Sequence, residues 1–246
     1  MSNLIQWPRA KYWNKAWNPV IGCKPCSPAC ENCYAAAWDK LFGQSIEPRK
    51  TSQKPPRHGI VFCGNMTDLF GKWVDRLCPP EYYISQTLQR KNETVYLWLT
   101  KRVPRMISAV NGGFERDRVG MSNHYFGFTA ESQEWYLARL ESYVSGFPER
   151  AKSWLSCEPL LGPIDFRFHT YRNLPKWVVV GCESGPNRRP CKIEWVESIV
   201  EQCMSVHIPV FVKQLDIGGK CITDINKFPT HLQIRQVPWA TKGEPE

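Results

Sequence analysis

Short apolar runs that recur along the chain constrain its fold more than any other feature of the sequence. They are rich in β-branched and aromatic residues and lack polar alternation, which is typical of strands buried on both faces. The runs lie at 18–22, 59–64, 94–100, 124–129, 152–157, 176–181 and 208–213. Segments with helical spacing lie between several of them, at 79–91, 132–146 and 192–205. Strands that alternate with helices predict parallel βα units.

Six or seven such units predict an α/β fold in the form of a full or partial (β/α) barrel of six or seven parallel strands. A doubly wound open sheet is the alternative architecture. Its dinucleotide-binding version has little support, because no glycine-rich phosphate loop follows the first strand. We expect the barrel to span residues 1–214 and residues 215–246 to form a C-terminal extension.

Composition favours a soluble, cytoplasmic protein. The 246 residues contain no apolar run near the roughly 20 residues that span a bilayer. The N-terminus also lacks the apolar core of an export signal. We therefore expect no membrane partner, and we expect clustered thiols to stay reduced, so that a metal or redox role is favoured over disulfides.

The charge balance points to a polyanionic partner. The formal net charge is +9 and the sequence pI is about 9.0, which favours nucleic acid. Basic stretches occur at 48–58, 100–106 and 186–192. For any one stretch, solvated surface charge is the more common explanation.

Polar residues follow nearly every predicted strand. They stand at 64–68, 99–102, 128–132, 156–159, 181–185 and 212–214. In parallel βα folds the active site lies at the carboxyl ends of the strands, so we expect these side chains to converge on one rim. Each one alone has another explanation, as a helix cap or a surface ion pair; Asp68 and Ser132 are examples of possible caps.

Four of the eleven cysteines stand close together directly after the first predicted strand: Cys23, Cys26, Cys30 and Cys33. Two CxxC pairs permit a structural zinc site, but only three residues separate the pairs, which leaves little room for the two turns of a zinc ribbon. Thiolates also bind iron–sulfur clusters. The spacing Cys26-x3-Cys30-x2-Cys33 is that of radical S-adenosylmethionine (SAM) enzymes, so the sequence favours a [4Fe–4S] cluster.

The chain resembles a family of radical-SAM-like proteins with three cysteines, frequent in phage genomes and mobile elements, whose function is mostly unknown. Seven blocks carry the resemblance in order between residues 17 and 214: WNPVIGC with SPACENCYA, NMTDLFG, WLTKRVPRM, FGFTAES, SCEPLLGPI, WVVVGCESGPNRRP with WVESIVEQC, and PVFVKQ. The family pattern C-x6-C-x2-C falls on Cys23, Cys30 and Cys33. It leaves Cys26 as an addition, so Cys23 and Cys26 compete for the place of first ligand, and we favour Cys23.

The resemblance implies two cofactors, a [4Fe–4S] cluster and SAM, together with an electron donor such as flavodoxin or ferredoxin. It implies roles for polar residues at the strand ends, with an internal ion pair as the alternative for each. Cofactor contacts are expected from Asn65 and Asp68 to the SAM amino group, from Glu131 to the ribose, and from Thr129. Catalytic candidates are Glu158, Glu183 and Lys213, and substrate-binding candidates are Lys101, Arg102 and Gln214.

The substrate follows from charge and from the phage association of the family. We expect DNA or a nucleotide derivative, with radical isomerisation or rearrangement of a hypermodified DNA base as the leading hypothesis. A free amino acid derivative or a protein side chain is an alternative substrate. The alternative function is a non-catalytic nucleic-acid-binding protein in which four thiolates hold a structural zinc ion.

Overall fold

The computed structural model describes residues 5–7, 9–41, 47–88, 94–112, 121–148, 151–170, 174–185 and 187–239. Its strands are β1 (Ile5–Gln6), β2 (Lys15–Trp17), β3 (Val20–Ile21), β4 (Arg49–Lys50), β5 (Gly59–Cys63), β6 (Thr94–Thr100), β7 (His124–Thr129), β8 (Lys152–Cys157), β9 (Val178–Gly181), β10 (Val210–Ile217), β11 (Lys220–Ile222) and β12 (Gln236–Val237).

The helices are α1 (Tyr34–Leu41), α2 (Pro80–Leu88), α3 (Val103–Gly112), α4 (Gln133–Gly146) and α5 (Ile193–Ser205). The helices predicted at 132–146 and 192–205 are confirmed as α4 and α5. The helix predicted at 79–91 corresponds to α2, and residues 89–91 lie outside the described residues. Pro80 begins α2, at a position where a missing N–H costs the helix nothing.

The chain divides into two compact units. The cysteine unit contains Trp13–Phe128 and Glu141–Lys152. The C-terminal unit contains Met1–Tyr12, Thr129–Leu140 and Ser153–Glu246.

In the cysteine unit, four parallel strands follow the order β2-β5-β6-β7. One row of paired residues crosses them, with Trp17 opposite Cys63, Cys63 opposite Trp98, and Trp98 opposite Phe126. All four side chains are buried. The Trp98 ring stacks on Phe126 with centroids 6.0 Å apart and meets Trp17 edge-on at 6.1 Å. Aromatic packing therefore fixes the lateral order of this sheet.

The prediction that residues 18–22 form the first strand of the parallel sheet is wrong. Lys15–Trp17 takes that place, and Val20–Ile21 instead pairs antiparallel with Arg49–Lys50. Of the three residues in β2 only Trp17 is buried, so the strand lacks the continuous apolar character from which the other strands were predicted.

In the C-terminal unit, β8, β9 and β10 are parallel, and β11 pairs antiparallel with β10. Tyr12 meets three aromatic rings edge-on: Trp154, Trp177 and Phe211, at centroid distances of 5.9, 5.0 and 5.5 Å. The strand β10 runs beyond residue 214 to Ile217. The boundary of the predicted C-terminal extension stays a prediction, and its residues 240–246 lie outside the described residues.

The described residues thus hold seven parallel strands, four in one unit and three in the other, with helices between them. The prediction of an α/β fold, a full or partial (β/α) arrangement of six or seven parallel strands, is confirmed. No helix in the described part of the chain has the length and apolar character needed to cross a membrane.

Candidate functional site

The four clustered cysteines lie on one loop of the cysteine unit, between the end of β3 and the start of α1. We call residues 22–33 the cysteine loop. Gly22 opens it with φ 87°, a conformation that favours glycine. A short 3-10 turn, Pro28–Cys30, carries the third thiol, and Cys33 accepts a hydrogen bond from the backbone of Ala37 in the first turn of α1. Local turns therefore keep the four thiols on one loop.

The thiols of this loop differ in how easily they ionise. Cys26 donates a hydrogen bond to Cys30, which stabilises a thiolate on Cys30 and lowers its pKa to about 4. The Lys101 ammonium acts on Cys30 in the same direction. The same hydrogen bond raises the pKa of Cys26. Burial raises the pKa of Cys23 to about 11, and the Asp68 carboxylate adds to that effect.

Arg102 fastens the cysteine loop to the carboxyl ends of β5 and β6. Its Nη1 lies 2.7 Å from Asp68 Oδ2, and its Nη2 donates to the carbonyl of Lys24 over 2.8 Å. The guanidinium also covers the Trp73 ring at 4.4 Å. The Asp68 carboxylate accepts further bonds from the Thr100 hydroxyl and from the backbone N–H groups of Phe70 and Lys101. Asp68 and Arg102 therefore form an ion pair that positions the loop.

Asn65 lies beside this ion pair, directly after β5. Its backbone carbonyl accepts a hydrogen bond from the Tyr34 hydroxyl on α1. Its side-chain Oδ1 is buried and has no hydrogen-bond partner among the described residues. A buried acceptor without a donor is costly, so this atom is a natural place for the N–H of a bound molecule.

The fit of these residues to a [4Fe–4S] cluster and SAM rests on donor chemistry. Soft thiolates are the usual ligands of iron–sulfur clusters, and the hydrogen bond from Cys26 lowers the pKa of Cys30. The unpartnered Asn65 Oδ1 suits the amino group of SAM. Within the described ranges, no group of three or more His, Cys, Asp or Glu side chains is arranged to hold a metal ion. The types of donor atom fit a [4Fe–4S] cluster and SAM. The four thiols are close in sequence, but the described residues do not place three of them around one metal position.

Thr129 ends β7, Glu131 follows it by two residues, and both belong to the C-terminal unit. The Glu131 side chain is completely buried and forms an ion pair with Arg139, with Oε1 2.9 Å from Nη2. Arg139 also donates from Nη1 to the carbonyl of Thr129 over 2.7 Å and covers the Trp135 ring. The expected contact of Glu131 with the ribose of SAM stays a prediction. The ion pair with Arg139 is the alternative explanation for Glu131 that the sequence left open.

Lys213 and Glu158 form another ion pair of the C-terminal unit, partly shielded from solvent. The sequence places Lys213 at the end of its strand, but it lies within β10 at a register shift between Val212 and Gln214. Val212 pairs with Val180 and Gln214 with Gly181, which leaves Lys213 as the extra residue of a bulge. A bulge redirects a side chain, and here it turns Lys213 towards Glu158.

Glu183 and Gln214 complete the predicted residues of this unit. Glu183 accepts from the backbone N–H of Arg189 at 2.8 Å and from its guanidinium Nε at 3.0 Å. Gln214 is buried and donates from Nε2 to the carbonyl of Cys182 over 2.6 Å. These contacts hold the loop after β9 against β10.

The structure brings together the four cysteines, Asn65, Asp68, Lys101 and Arg102 within the cysteine unit. In the C-terminal unit it pairs Glu131, Glu158 and Glu183 each with a basic residue. The sequence did not single out Thr100, Arg139 or Trp73. Arg189 stood within the basic stretch 186–192, so its charge was a signal, but no sequence spacing assigned it to Glu183.

Among solved structures, the chain is similar to a mutant of spore photoproduct lyase, with 11% sequence identity and a TM-score of 0.44. The match covers 73% of this chain and 59% of that chain. The chain thus spans less than two thirds of the length of that protein. No curated protein matches the sequence. A family model matches residues 8–231, and by that match the chain belongs to the family described as "Protein of unknown function (DUF5131)".

Proposed function

We propose that the protein is a radical SAM enzyme whose cysteine loop holds a [4Fe–4S] cluster. The observation that carries the proposal is the anchored loop: Arg102 joins the loop that bears the four cysteines to Asp68 at the strand ends. The hydrogen bond from Cys26 and the Lys101 ammonium, which lower the pKa of Cys30, support it. A thiolate binds iron without first losing a proton. A loop that is already held in place loses less conformational entropy when its cysteines bind the cluster.

Cys23, Cys30 and Cys33 are the proposed cluster ligands, with Cys26 as the alternative to Cys23. Cys26 is exposed, and its hydrogen bond to Cys30 gives it a role in stabilising that thiolate. Cys23 is partly buried beside Asp68, where a bound cation would relieve the electrostatic cost of its thiolate.

When bound, the cluster and SAM together supply one-electron cleavage of the sulfonium, which begins radical chemistry on a substrate. Asn65, whose buried Oδ1 has no hydrogen-bond partner among the described residues, would accept a hydrogen bond from the SAM amino group. Within the C-terminal unit, Thr129 and Glu131 keep their proposed cofactor-binding role, with Arg139 holding the Glu131 carboxylate. A preorganised carboxylate loses little freedom when it meets a ribose hydroxyl.

Substrate binding is assigned to charged groups that are already held in place. Lys213 and Glu158 offer an ammonium and a carboxylate in contact. A substrate that carries both charges can replace this ion pair, with its negative group on Lys213 and its positive group on Glu158. Glu183 is oriented by Arg189 in the same way. Lys101, Arg102 and Gln214 are the further candidates for a substrate carboxylate, phosphate or base edge.

The proposed substrate is a base in DNA, with isomerisation or rearrangement of a hypermodified phage base as the leading reaction. Three exposed cations, Lys50, Lys54 and Arg57, line the segment 49–58 of the cysteine unit. Its backbone is fixed by Thr51, whose hydroxyl donates to the carbonyl of Asn18, and by Gln53, whose Oε1 accepts from the N–H of Asn18. Exposed cationic side chains on a backbone that is held in place suit the phosphate backbone of DNA.

The same proposal assigns the protein to the cytoplasm, that of a host cell if the protein is phage-encoded, where free thiols stay reduced. An electron donor such as flavodoxin or ferredoxin is the proposed redox partner there. The test is anaerobic purification and reconstitution with iron and sulfide. We expect a brown protein with charge-transfer absorption that cleaves SAM to 5'-deoxyadenosine when it is reduced.

A colourless protein that retains one tightly bound zinc ion would overturn the enzyme proposal in favour of the non-catalytic zinc protein. A protein that binds iron and sulfide but leaves SAM intact would retain the metal centre and refute the SAM chemistry. Metal analysis and SAM cleavage are therefore measured on the same sample.

A further inference from the structure

Two cysteines outside the cysteine loop lie in contact in the C-terminal unit. Cys182 directly follows β9, and Cys221 is the central residue of β11. The Cys182 thiol donates towards the Cys221 sulfur over 3.7 Å. They stand 39 residues apart in the sequence, so the sheet and not a local motif brings them together.

The two thiols differ in access to solvent. Cys182 is completely buried, whereas Cys221 is partly exposed. A small molecule in solution can therefore reach Cys221 first, with Cys182 directly behind it. This is the arrangement of an attacking thiol and a resolving thiol.

One cation is held beside the pair. Arg188 lies near both thiols, and its positive charge opposes the effect of burial, which raises the pKa of Cys182. Arg188 is itself held by Asp216 on β10, with Nη1 3.0 Å from Oδ2. Asp216 is the residue of β10 that pairs with Cys221, so the cation is fixed beside the thiols.

The strand that carries Cys221 has room to move. Gly218 and Gly219 form the turn between β10 and β11, both with positive φ and exposed, and a side chain at either would meet open space. A disulfide has an S–S distance of about 2.05 Å, so the sulfurs must approach by about 1.7 Å. The turn has no side chains to repack during such a shift, and its Gly219 carbonyl keeps Arg188 beside it through a hydrogen bond.

We propose that Cys182 and Cys221 form a thiol–disulfide exchange site for small disulfides such as glutathione disulfide. The Cys221 thiolate attacks one sulfur of the small disulfide and expels the other as a thiolate, which leaves a mixed disulfide on Cys221. Cys182 then loses its proton to the expelled thiolate and attacks Cys221 Sγ, which releases the second small thiol. Two protein thiols are oxidised, and one small disulfide is reduced to two thiols.

The oxidised form joins the end of β9 to β11 across β10. The bond would restrict the strand that carries Lys213 and Gln214, since β10 lies between the two cross-linked segments. The inference does not depend on the proposed radical SAM function, because neither cysteine belongs to the cysteine loop.

The test treats the reduced full chain with glutathione disulfide under native conditions, followed by alkylation, trypsin and mass spectrometry. Trypsin places the three cysteines of this region on separate peptides, residues 177–188, 189–192 and 221–227. We expect a cross-link between 177–188 and 221–227, two hydrogens lighter than the sum of the reduced peptides. Its yield should fall roughly tenfold in urea, where folding no longer holds the thiols together.

Single variants separate the two steps. Cys182→Ser should accumulate glutathione on peptide 221–227, and Cys221→Ser should leave peptide 177–188 reduced. Cys191→Ser is the matched control, since Cys191 is buried nearby and should not alter the cross-link. A cross-link through Cys191, a stable glutathione adduct on Cys221 in the unaltered chain, or an equal yield in urea would each overturn the proposal.

Discussion

The guanidinium of Arg102 joins the Asp68 carboxylate to the backbone of the cysteine loop. Nη1 meets Asp68 Oδ2 at 2.7 Å, and Nη2 meets the carbonyl of Lys24 at 2.8 Å. The two contacts use different nitrogens of one planar group, which a lysine ammonium does not reproduce. Arg102, at the end of β6, is therefore one of the side chains that hold the loop, together with Thr67, whose hydroxyl donates to the carbonyl of Gly22.

Replacing Arg102 should loosen the loop. For Arg102→Lys we expect a loss of about 1–3 kcal/mol in the free energy of unfolding, because Asp68 and the Lys24 carbonyl lose a shared donor. Iron retention after anaerobic reconstitution should fall with it. Arg105→Lys is the matched control, since Arg105 pairs with the more exposed Asp75 and a change of at most about 1 kcal/mol is expected. Unchanged iron retention in Arg102→Lys would contradict the anchoring role.

The two candidates for the first cluster ligand can be separated by single substitutions. We expect Cys23→Ser to abolish the stable cluster, because a thiolate ligand is lost, and Cys26→Ser to retain it. The measurements are iron and sulfide content and the visible absorption after reconstitution. The reverse result would assign the first ligand to Cys26 and leave Cys30 and Cys33 in place.

The buried pair of Glu131 and Arg139 should dominate the stability of its region. Glu131→Gln leaves the Arg139 charge without its partner in a site closed to solvent, which should cost about 3–5 kcal/mol in urea unfolding. Glu134→Gln is the control, because Glu134 lies on α4 with Arg139 but is exposed, and surface changes stay within about 0.5 kcal/mol. If Glu131→Gln is as stable as the control, the ion pair is not structural.

His124 should make the stability of the cysteine unit depend on pH. Burial lowers its pKa to about 3. Its neutral ring is satisfied by Asn123 Oδ1 at 2.9 Å and the Thr87 hydroxyl at 2.8 Å. In the unfolded chain His124 binds a proton near pH 6.5, and in the folded chain it does not. Its contribution to the free energy of unfolding is therefore complete above about pH 6.5. It decreases as pH falls from there towards 3.

The expected slope is up to about 1.4 kcal/mol per pH unit for one proton. His124→Gln should flatten the dependence of unfolding free energy on pH between about 6.5 and 4. His231→Gln, at a side chain that is 61% exposed, should leave it unchanged. A parallel pH profile for His124→Gln and the unaltered chain would refute the assignment.

The basic segment 49–58 predicts salt-dependent binding to DNA. Reversing Lys50, Lys54 and Arg57 to glutamate should weaken binding to duplex DNA and lower the slope of log affinity against log salt by about one for each lost phosphate contact. Lys220→Glu with Lys227→Glu is the control, because both residues are exposed in the C-terminal unit. Binding that is absent at low salt, or insensitive to salt, would refute the nucleic acid partner.

Strands buried on both faces could be predicted because their side chains are apolar throughout. Thr94–Thr100 and His124–Thr129 follow that rule closely. The rule failed at Lys15–Trp17, where one face is partly exposed and only Trp17 is buried. It also placed Lys213 at a strand end, because the apolar run stops there while hydrogen bonding to β11 continues the strand to Ile217.

The sequence alone determined six of the seven parallel strands, the helices α2, α4 and α5, and the grouping of Cys23, Cys26, Cys30 and Cys33, since continuous burial, helical spacing and short spacing are local properties. Only the tertiary structure decided the partners of the charged residues. Arg102 meets the Lys24 carbonyl across 78 residues, and Cys182 meets Cys221 across 39. Such contacts depend on which strands are neighbours and in what register, and register is set by the packing of the whole sheet.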